Sequence, residues 1–556
     1  MKIITLNIDG SEKQYKLEEN SLGIPLKKIA EDFEDEHKGK ICIASVDNKL
    51  RELNYIIAKD CVIKFIDTTE EDGKRVYFRV LSFVLVMACK ELFGDGKVVI
   101  EHSLSKGLYC EVHTGRELNK NDLENIKRLM QEKIDKNYDI EKIEMSRDEA
   151  IKIFNDNKLY SKAELLKYKD YDSTTVYKCG DYIDHYYGYM LPSTGDVAVF
   201  NVELHNRGLI LFGPNKNDKT VPTDYVSQPK LASIYYETEQ WSKLMGIDKV
   251  VSLNKIVENN DYGDMIRTVE ALHEKKLAQI ADEISENNKR IILIAAPSSS
   301  GKTSFANRLS IHLRVNNLNP ISISLDNYFV DREYTPLDEF GNFDFESIYA
   351  IDLDRFNSDL KKLLDGEAIQ EIKFDFKTGK RMNIDKTIQI EKNQPIILEG
   401  IHGLNPMLTE SIDDNEKFKI YLSALTQLNL DNHNRIPTTD LRLIRRIVRD
   451  HNFRGYSAET TIIQWESVRR GEKKNIFPFQ EEADVIFNSA CVYELSVLKG
   501  FVKPLLEEID TSSEAYIESN RLLNFLQYFV DLEDTSDIPS TSILREFIGG
   551  SKIVEE

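Results

Sequence analysis

Residues 290–309, RIILIAAPSSSGKTSFANRL, constrain the fold of this chain more than any other stretch. An apolar run gives way to a loop of small residues and then to a helical pattern, the setting a phosphate-binding loop requires. Gly301, Lys302 and Thr303 supply the GK[ST] end. Backbone N–H groups of Ser298, Ser299, Ser300 and Gly301, with the helix start running through Ser304, would cradle phosphates. Lys302 would reach the β and γ phosphates, and the Thr303 hydroxyl would face Mg²⁺. Ala296 stands where the motif has its first glycine, a change that fits if its φ is negative and its methyl clears the phosphates.

Two further apolar strands end in carboxylates: ISISLDNYFVD places Asp326 after one, and PIILEG places Glu399 at the end of the other. In a parallel sheet both would emerge beside the phosphate loop. The remainder is too long for one core. With 556 residues, at roughly 150 per domain, three or four domains are expected. The balance of 73 Lys+Arg against 94 Asp+Glu gives a net charge of −21, which disfavours broad electrostatic binding to a nucleic-acid backbone. The apolar stretch near Val80 to Cys89 is far below a membrane span, and the amino terminus reaches Asp9 too soon for a secretory signal, so a cytoplasmic, soluble protein is expected. The six cysteines form no CxxC pair and are expected to be reduced and mostly buried.

With LDNYF, NFDF at 342–345, KFDFKTGKR at 373–381, LEGI at 398–401, LIRRIVRDHNFRG at 443–455 and ADVIFNS, the region 289–495 resembles the uridine kinase branch of the phosphoribulokinase and uridine kinase family. The resemblance implies an ATP- and Mg²⁺-dependent nucleoside kinase transferring the γ-phosphate to a 5′-hydroxyl. Asp326 would take the proton of that hydroxyl and approach Mg²⁺, Glu399 would hold the metal's water shell, and Asp344 would bind ribose hydroxyls. Arg446, Arg449 and Arg454 match the family's lid, where closing guanidinium groups would neutralise charge developing in transfer; Arg449 and Arg454 would bind ATP. Tyr328, Phe374, Arg446 and Gln464 match nucleoside-contacting positions. The pattern breaks at the base: Phe374 and Gly379 stand where the family has Tyr and His, and Tyr456 replaces a lid arginine, so uridine specificity is not implied.

The first half carries a second resemblance. Residues 1–67 read as short strands around the helical LKKIAEDF and resemble the β-grasp TGS domain that opens threonyl-tRNA synthetases. From 68 to 242, SRDEAIKIF, VYKCGDYID and LPSTG at 191–195 resemble the same synthetase's α+β editing domain. That family builds its editing pocket from an HxxxH pair and a Cys with a His four residues later. Here the matching positions hold Phe83, Met87, Tyr186 and Met190, none of which activates water or binds zinc. His185, next to Tyr186, is a lone imidazole and a weak ligand. Aminoacyl-tRNA deacylation is therefore disfavoured, and the four residues are read as core packing or an apolar pocket.

Residues 243–288 are expected to form a helical linker with Ile266, Val269, Leu272, Leu277 and Ile280 on one face. Residues 496–556 are expected to form a helical extension packed on the kinase or the linker. The chief alternative is a regulatory protein that senses RNA or nucleotides through its first half, with the phosphate loop as a switch; a base beside Mg²⁺ favours the enzyme. Contact with RNA by the first half and a homo-oligomer are left open.

Overall fold

The computed structural model describes residues 2–17, 21–94, 96–338, 341–375, 378–426 and 428–554. The amino-terminal unit is a five-stranded mixed sheet in the order Ser11–Leu17, Lys2–Ile8, Cys61–Asp67, Ile41–Val46, Lys49–Arg51. Strict alternation in the first strand turns Ile4, Leu6 and Ile8 inward, where they meet Leu26, Ile29 and Ala30 of the one helix.

The second unit is built on the helix Glu71–Phe93, whose buried face runs from Val76 through Tyr77, Val80, Phe83 and Val84. It packs on a four-stranded sheet, Asn201–His205, Gly208–Phe212, Gly107–His113, Lys97–Leu104, and is flanked by a three-stranded one formed by 141–146, 173–179 and 182–184. Three helices follow: Pro229–Leu244, Val250–Glu258 and Tyr262–Glu286. The last carries the linker's apolar stripe. Ile266, Val269, Leu277 and Ile280 are buried in one core with Phe305, Leu309 and Leu313, so the linker is part of the kinase-like unit rather than a spacer. Leu272 is only half-buried.

The carboxy-terminal half holds a five-stranded sheet, Ile321–Ser324, Ile396–Glu399, Ile291–Ala295, Lys417–Ser423, Val485–Asn488, in which every pairing is parallel. Its central strand is buried at every position, as a strand covered on both faces must be. That strand runs straight into the phosphate loop. Two helices, Glu494–Glu507 and Tyr516–Leu526, and a short helix Arg545–Ile548 form the extension. All six cysteines are free, five of them buried. Among the described residues, no helix is long and apolar enough to cross a membrane.

Candidate phosphate-transfer site

Ser299 (φ 61°) and Gly301 (φ 83°) adopt the left-handed conformation that turns the loop from strand to helix, whereas Ala296 does not. The replaced glycine therefore costs the loop no strain. Lys302 opens the helix Lys302–Val315, with Gly301 as its cap. The loop is braced from behind by the helix Thr438–Arg454. Arg442 Nε donates to the Ser298 carbonyl (2.9 Å), Arg445 donates to the Ser299 carbonyl (3.3 Å), and Arg446 donates to Ser298 Oγ (2.8 Å). Arg442 and Arg445 are themselves buried and paired with buried carboxylates, Glu472 and Glu494. Glu472 Oε1 also accepts from the Ser298 N–H at 3.0 Å. The Ser299 and Ser300 hydroxyls are buried without a hydrogen-bond partner.

Asp326 lies in a single 3₁₀ turn, Leu325–Tyr328, just past its strand, and Glu399 is the last residue of the neighbouring one. Burial raises the Glu399 carboxyl above its usual range; Lys302 and the Thr303 hydroxyl pull it down, while Asp326 and Glu546 push it up. Lys302, Thr303, Asp326 and Glu399 thus share one electrostatic neighbourhood. Glu399 Oε2 is buried with no partner. Two carboxylates and a hydroxyl are hard oxygen donors of the kind Mg²⁺ takes alongside substrate phosphates. Thr303, Asp326 and Glu399 fit that ion, with substrate phosphates to complete its shell.

The lid arginines converge on one acid. Arg446 Nε (3.2 Å), Arg449 (2.8 Å) and Arg454 (3.6 Å) all reach the buried Asp450 carboxylate. Asp344 accepts from the Glu346 N–H (3.2 Å) and lies 3.6 Å from Lys474. Burial, with the neighbouring Glu472, pushes the Glu346 carboxyl up to about 7. Tyr328 is buried and donates to Asp359 at 3.3 Å. Phe374 is 3% exposed, its ring 5.6 Å from Phe329 in an edge-on contact, so it is a wall of the core rather than a free stacking platform. Gly379 is left-handed (φ 68°), and a Cβ there would meet Arg332 Nε at 2.7 Å. Arg332 fills the space a histidine would use. Residues 376–377 of the KFDFKTGKR stretch lie outside the described residues. Gln464 is exposed on the helix Ala458–Asn475, whose inward stripe is taken by Thr461, Ile462, Trp465 and Glu472. Tyr456 is 46% exposed.

In the first half, Phe83 is fully buried against Tyr182 and Tyr186, at centroid distances of 5.1 and 5.8 Å, and Met190 is buried with them. Met87 packs at the edge of that core. His185 Nδ1 lies 2.6 Å from the Thr175 carbonyl oxygen, and burial holds the imidazole down to about 4. Phe83 and Tyr186 join Tyr182 in an aromatic cluster, and none of the four positions carries a water-activating group.

A strand–loop–helix with this loop and these strand-end carboxylates is a phosphate-binding arrangement. Residues 291–496 match the Phosphoribulokinase / Uridine kinase family. A solved structure described as a possible uridine kinase from Bacillus stearothermophilus aligns with a TM-score of 0.26 and 18% identity, covering 38% of this chain and all of that one. The amino-terminal half is similar to threonine–tRNA ligases. That of Caldanaerobacter subterraneus subsp. tengcongensis is 29% identical over 229 residues, 41% of this chain and 34% of the ligase. That of Clostridium kluyveri is 34% identical over 183 residues, 33% of this chain and 28% of the ligase. The chain thus spans about a third of the length of these ligases.

Within the phosphoribulokinase/uridine kinase region, several site residues escaped sequence reading. Arg442 and Arg445 lie at the edge of and inside the lid stretch, but only their burial marks them as loop braces rather than lid groups. Glu472 and Glu546 reach the loop from 174 and 242 residues away in sequence, and no local pattern signals either. His402, wholly buried, is held down to about 4 by burial with Asp344 opposing; it directly follows the LEGI stretch.

Proposed function

We propose that the protein is an ATP- and Mg²⁺-dependent nucleoside kinase of the uridine or cytidine type, with a synthetase-like half that has lost editing chemistry. The observation that carries the reading is that Lys302 and Thr303 open the helix after the phosphate loop while Asp326 and Glu399 stand at the ends of two parallel strands of the same sheet. A nucleotide-binding module needs the loop and lysine; it does not need a second carboxylate poised to take a proton. Bound Mg²⁺ would supply charge neutralisation across the phosphates. The chain's own residues do the rest. Loop N–H groups and Lys302 hold the triphosphate, Asp326 accepts the 5′-hydroxyl proton, and Asp344 positions ribose. Arg449 and Arg454 swing from Asp450 to the phosphates as the lid closes, supplying charge where it develops.

Support for an unreactive first half comes from Phe83 and Tyr186, buried ring against ring at positions where the synthetase family has His and Cys. The test is a panel of ribonucleosides assayed with ATP and Mg²⁺ for nucleoside 5′-monophosphate. Formation from a pyrimidine nucleoside supports the reading; absence of product from every nucleoside, with ATP bound, favours a regulatory nucleotide sensor.

A further inference from the structure

The segment 536–554 lies on the phosphate loop. Glu546 Oε2 accepts from the Ser304 N–H at 3.2 Å and from Ser304 Oγ at 2.7 Å. Ile543 sits over Gly301 so closely that a Cβ there would meet its Cγ2 at 2.3 Å. Phe547 packs under the Arg445 guanidinium (4.9 Å), its carbonyl accepts from Asn452 of the lid helix (3.1 Å), and Asn307 donates to the Ile553 carbonyl (2.6 Å). Six contacts thus seat one short segment across the loop, its helix and the lid.

Ser304 is the residue after Thr303, and its N–H belongs to the group of helix-start donors that cradles nucleotide phosphates. A carboxylate on that N–H and hydroxyl is an anion on an anion site. The Ser298 N–H is likewise taken by Glu472, while the Ser299 and Ser300 hydroxyls stay buried and unpartnered. A triphosphate arriving here meets a resident negative charge and an apolar side chain over Gly301.

We propose that the carboxy-terminal segment is an autoinhibitory plug: Glu546 occupies a phosphate position of the nucleotide site, and ATP must displace it to bind. This rests on the loop being a nucleotide site. The segment continues from an extension that touches the other units: Asn48 of the first sheet donates to the Thr511 and Ser513 carbonyls, and Arg75 reaches Glu518 at 3.5 Å. A change there has a physical route to the plug.

The test is ATP·Mg²⁺ affinity by calorimetry for the full chain, Glu546→Gln and Ile543→Ala/Glu546→Gln. Glu546→Gln keeps an acceptor on Ser304 but removes the charge, so it should tighten ATP binding roughly tenfold, equivalent to about 1.4 kcal/mol; the double variant should tighten it further. Unchanged or weaker affinity in folded variants overturns the plug while leaving the nucleotide site intact. No ATP binding by any of the three proteins overturns the nucleotide-site reading, and the plug with it. A second readout needs no variant. Trypsin cleavage after Arg545 and Lys552 should speed up when ATP·Mg²⁺ is added to the native chain; unchanged or slower cleavage counts against displacement.

Discussion

His433 Nδ1 lies 2.7 Å from Asp184 Oδ2, and this contact joins the kinase-like half to the synthetase-like one. Lys162 completes the buried group, pairing with Asp184, lying 3.4 Å from His433 and donating to the His185 carbonyl at 2.9 Å. Burial alone would raise the Asp184 carboxyl, but Lys162 and His433 hold it well below the usual carboxylate range. The ring of His433 also stacks beside Tyr186, one of the four altered editing positions. At this position Tyr186 packs against His433, which lies shortly before the helix Thr438–Arg454.

Removing one member of this group strands a buried charge. Lys162→Met should therefore cost about 3–5 kcal/mol of stability, read from urea unfolding. A cost below about 1 kcal/mol would mean the cluster is solvated and does not join the halves.

A second contact in this interface gives a pH dependence. Asn429 Nδ2 donates to Glu101 Oε2 at 3.2 Å, and burial raises the Glu101 carboxyl from the usual 4.5 to about 7, with Lys249 opposing. The folded state holds this proton more tightly than the unfolded one. Its contribution to stability is fully present below pH 4.5 and is lost as pH rises through 7. Between pH 5 and 8 the urea midpoint of the native chain should fall by more than that of Glu101→Gln. Parallel profiles would show that Glu101 ionises freely.

The first half should neither bind zinc nor deacylate mischarged tRNA, because Phe83, Met87, Tyr186 and Met190 offer no ligand or base. Metal analysis of purified protein and a deacylation assay read this directly. Stoichiometric zinc or deacylation above background would mean that other side chains supply the chemistry.

Base selection should be blunt. Phe374 is locked into the core, Gly379 offers no side chain, and Arg332 fills the adjacent space. Shape alone discriminates by about 1–3 kcal/mol. With Asp344 left to hold ribose, kcat/KM should fall more from uridine to deoxyuridine than from uridine to cytidine or inosine. A thousandfold preference for uridine over every other ribonucleoside would assign a base-reading role to another group, Arg332 first.

The phosphate loop was legible because its signal is local: an apolar strand, small residues and a helix within 20 positions. The expectation that the first half lacks editing chemistry rests on residue type alone, and the structure shows Phe83, Tyr186 and Met190 as buried side chains. What decides the loop's present state was not legible. Glu472 and Glu546 arrive from distant segments, and a glutamate in a helix reads as surface until its partner is known. The linker was recognised as helical from its period, but that it shares a core with Phe305 and Leu309 depends on tertiary packing. Gln464 came from resemblance alone, and helix phase turns it outward beside the buried Trp465.

The most direct test of the central claim is transfer of the γ-phosphate from ATP·Mg²⁺ to nucleosides, measured side by side for the native chain, Glu546→Gln and Lys302→Ala. The native chain should form a nucleoside 5′-monophosphate and Glu546→Gln should do so at lower ATP. Lys302→Ala, folded, should form none, having lost the charge that stabilises the transferring group. Normal turnover by Lys302→Ala, or no product from either of the other two proteins with ATP bound, would contradict the account.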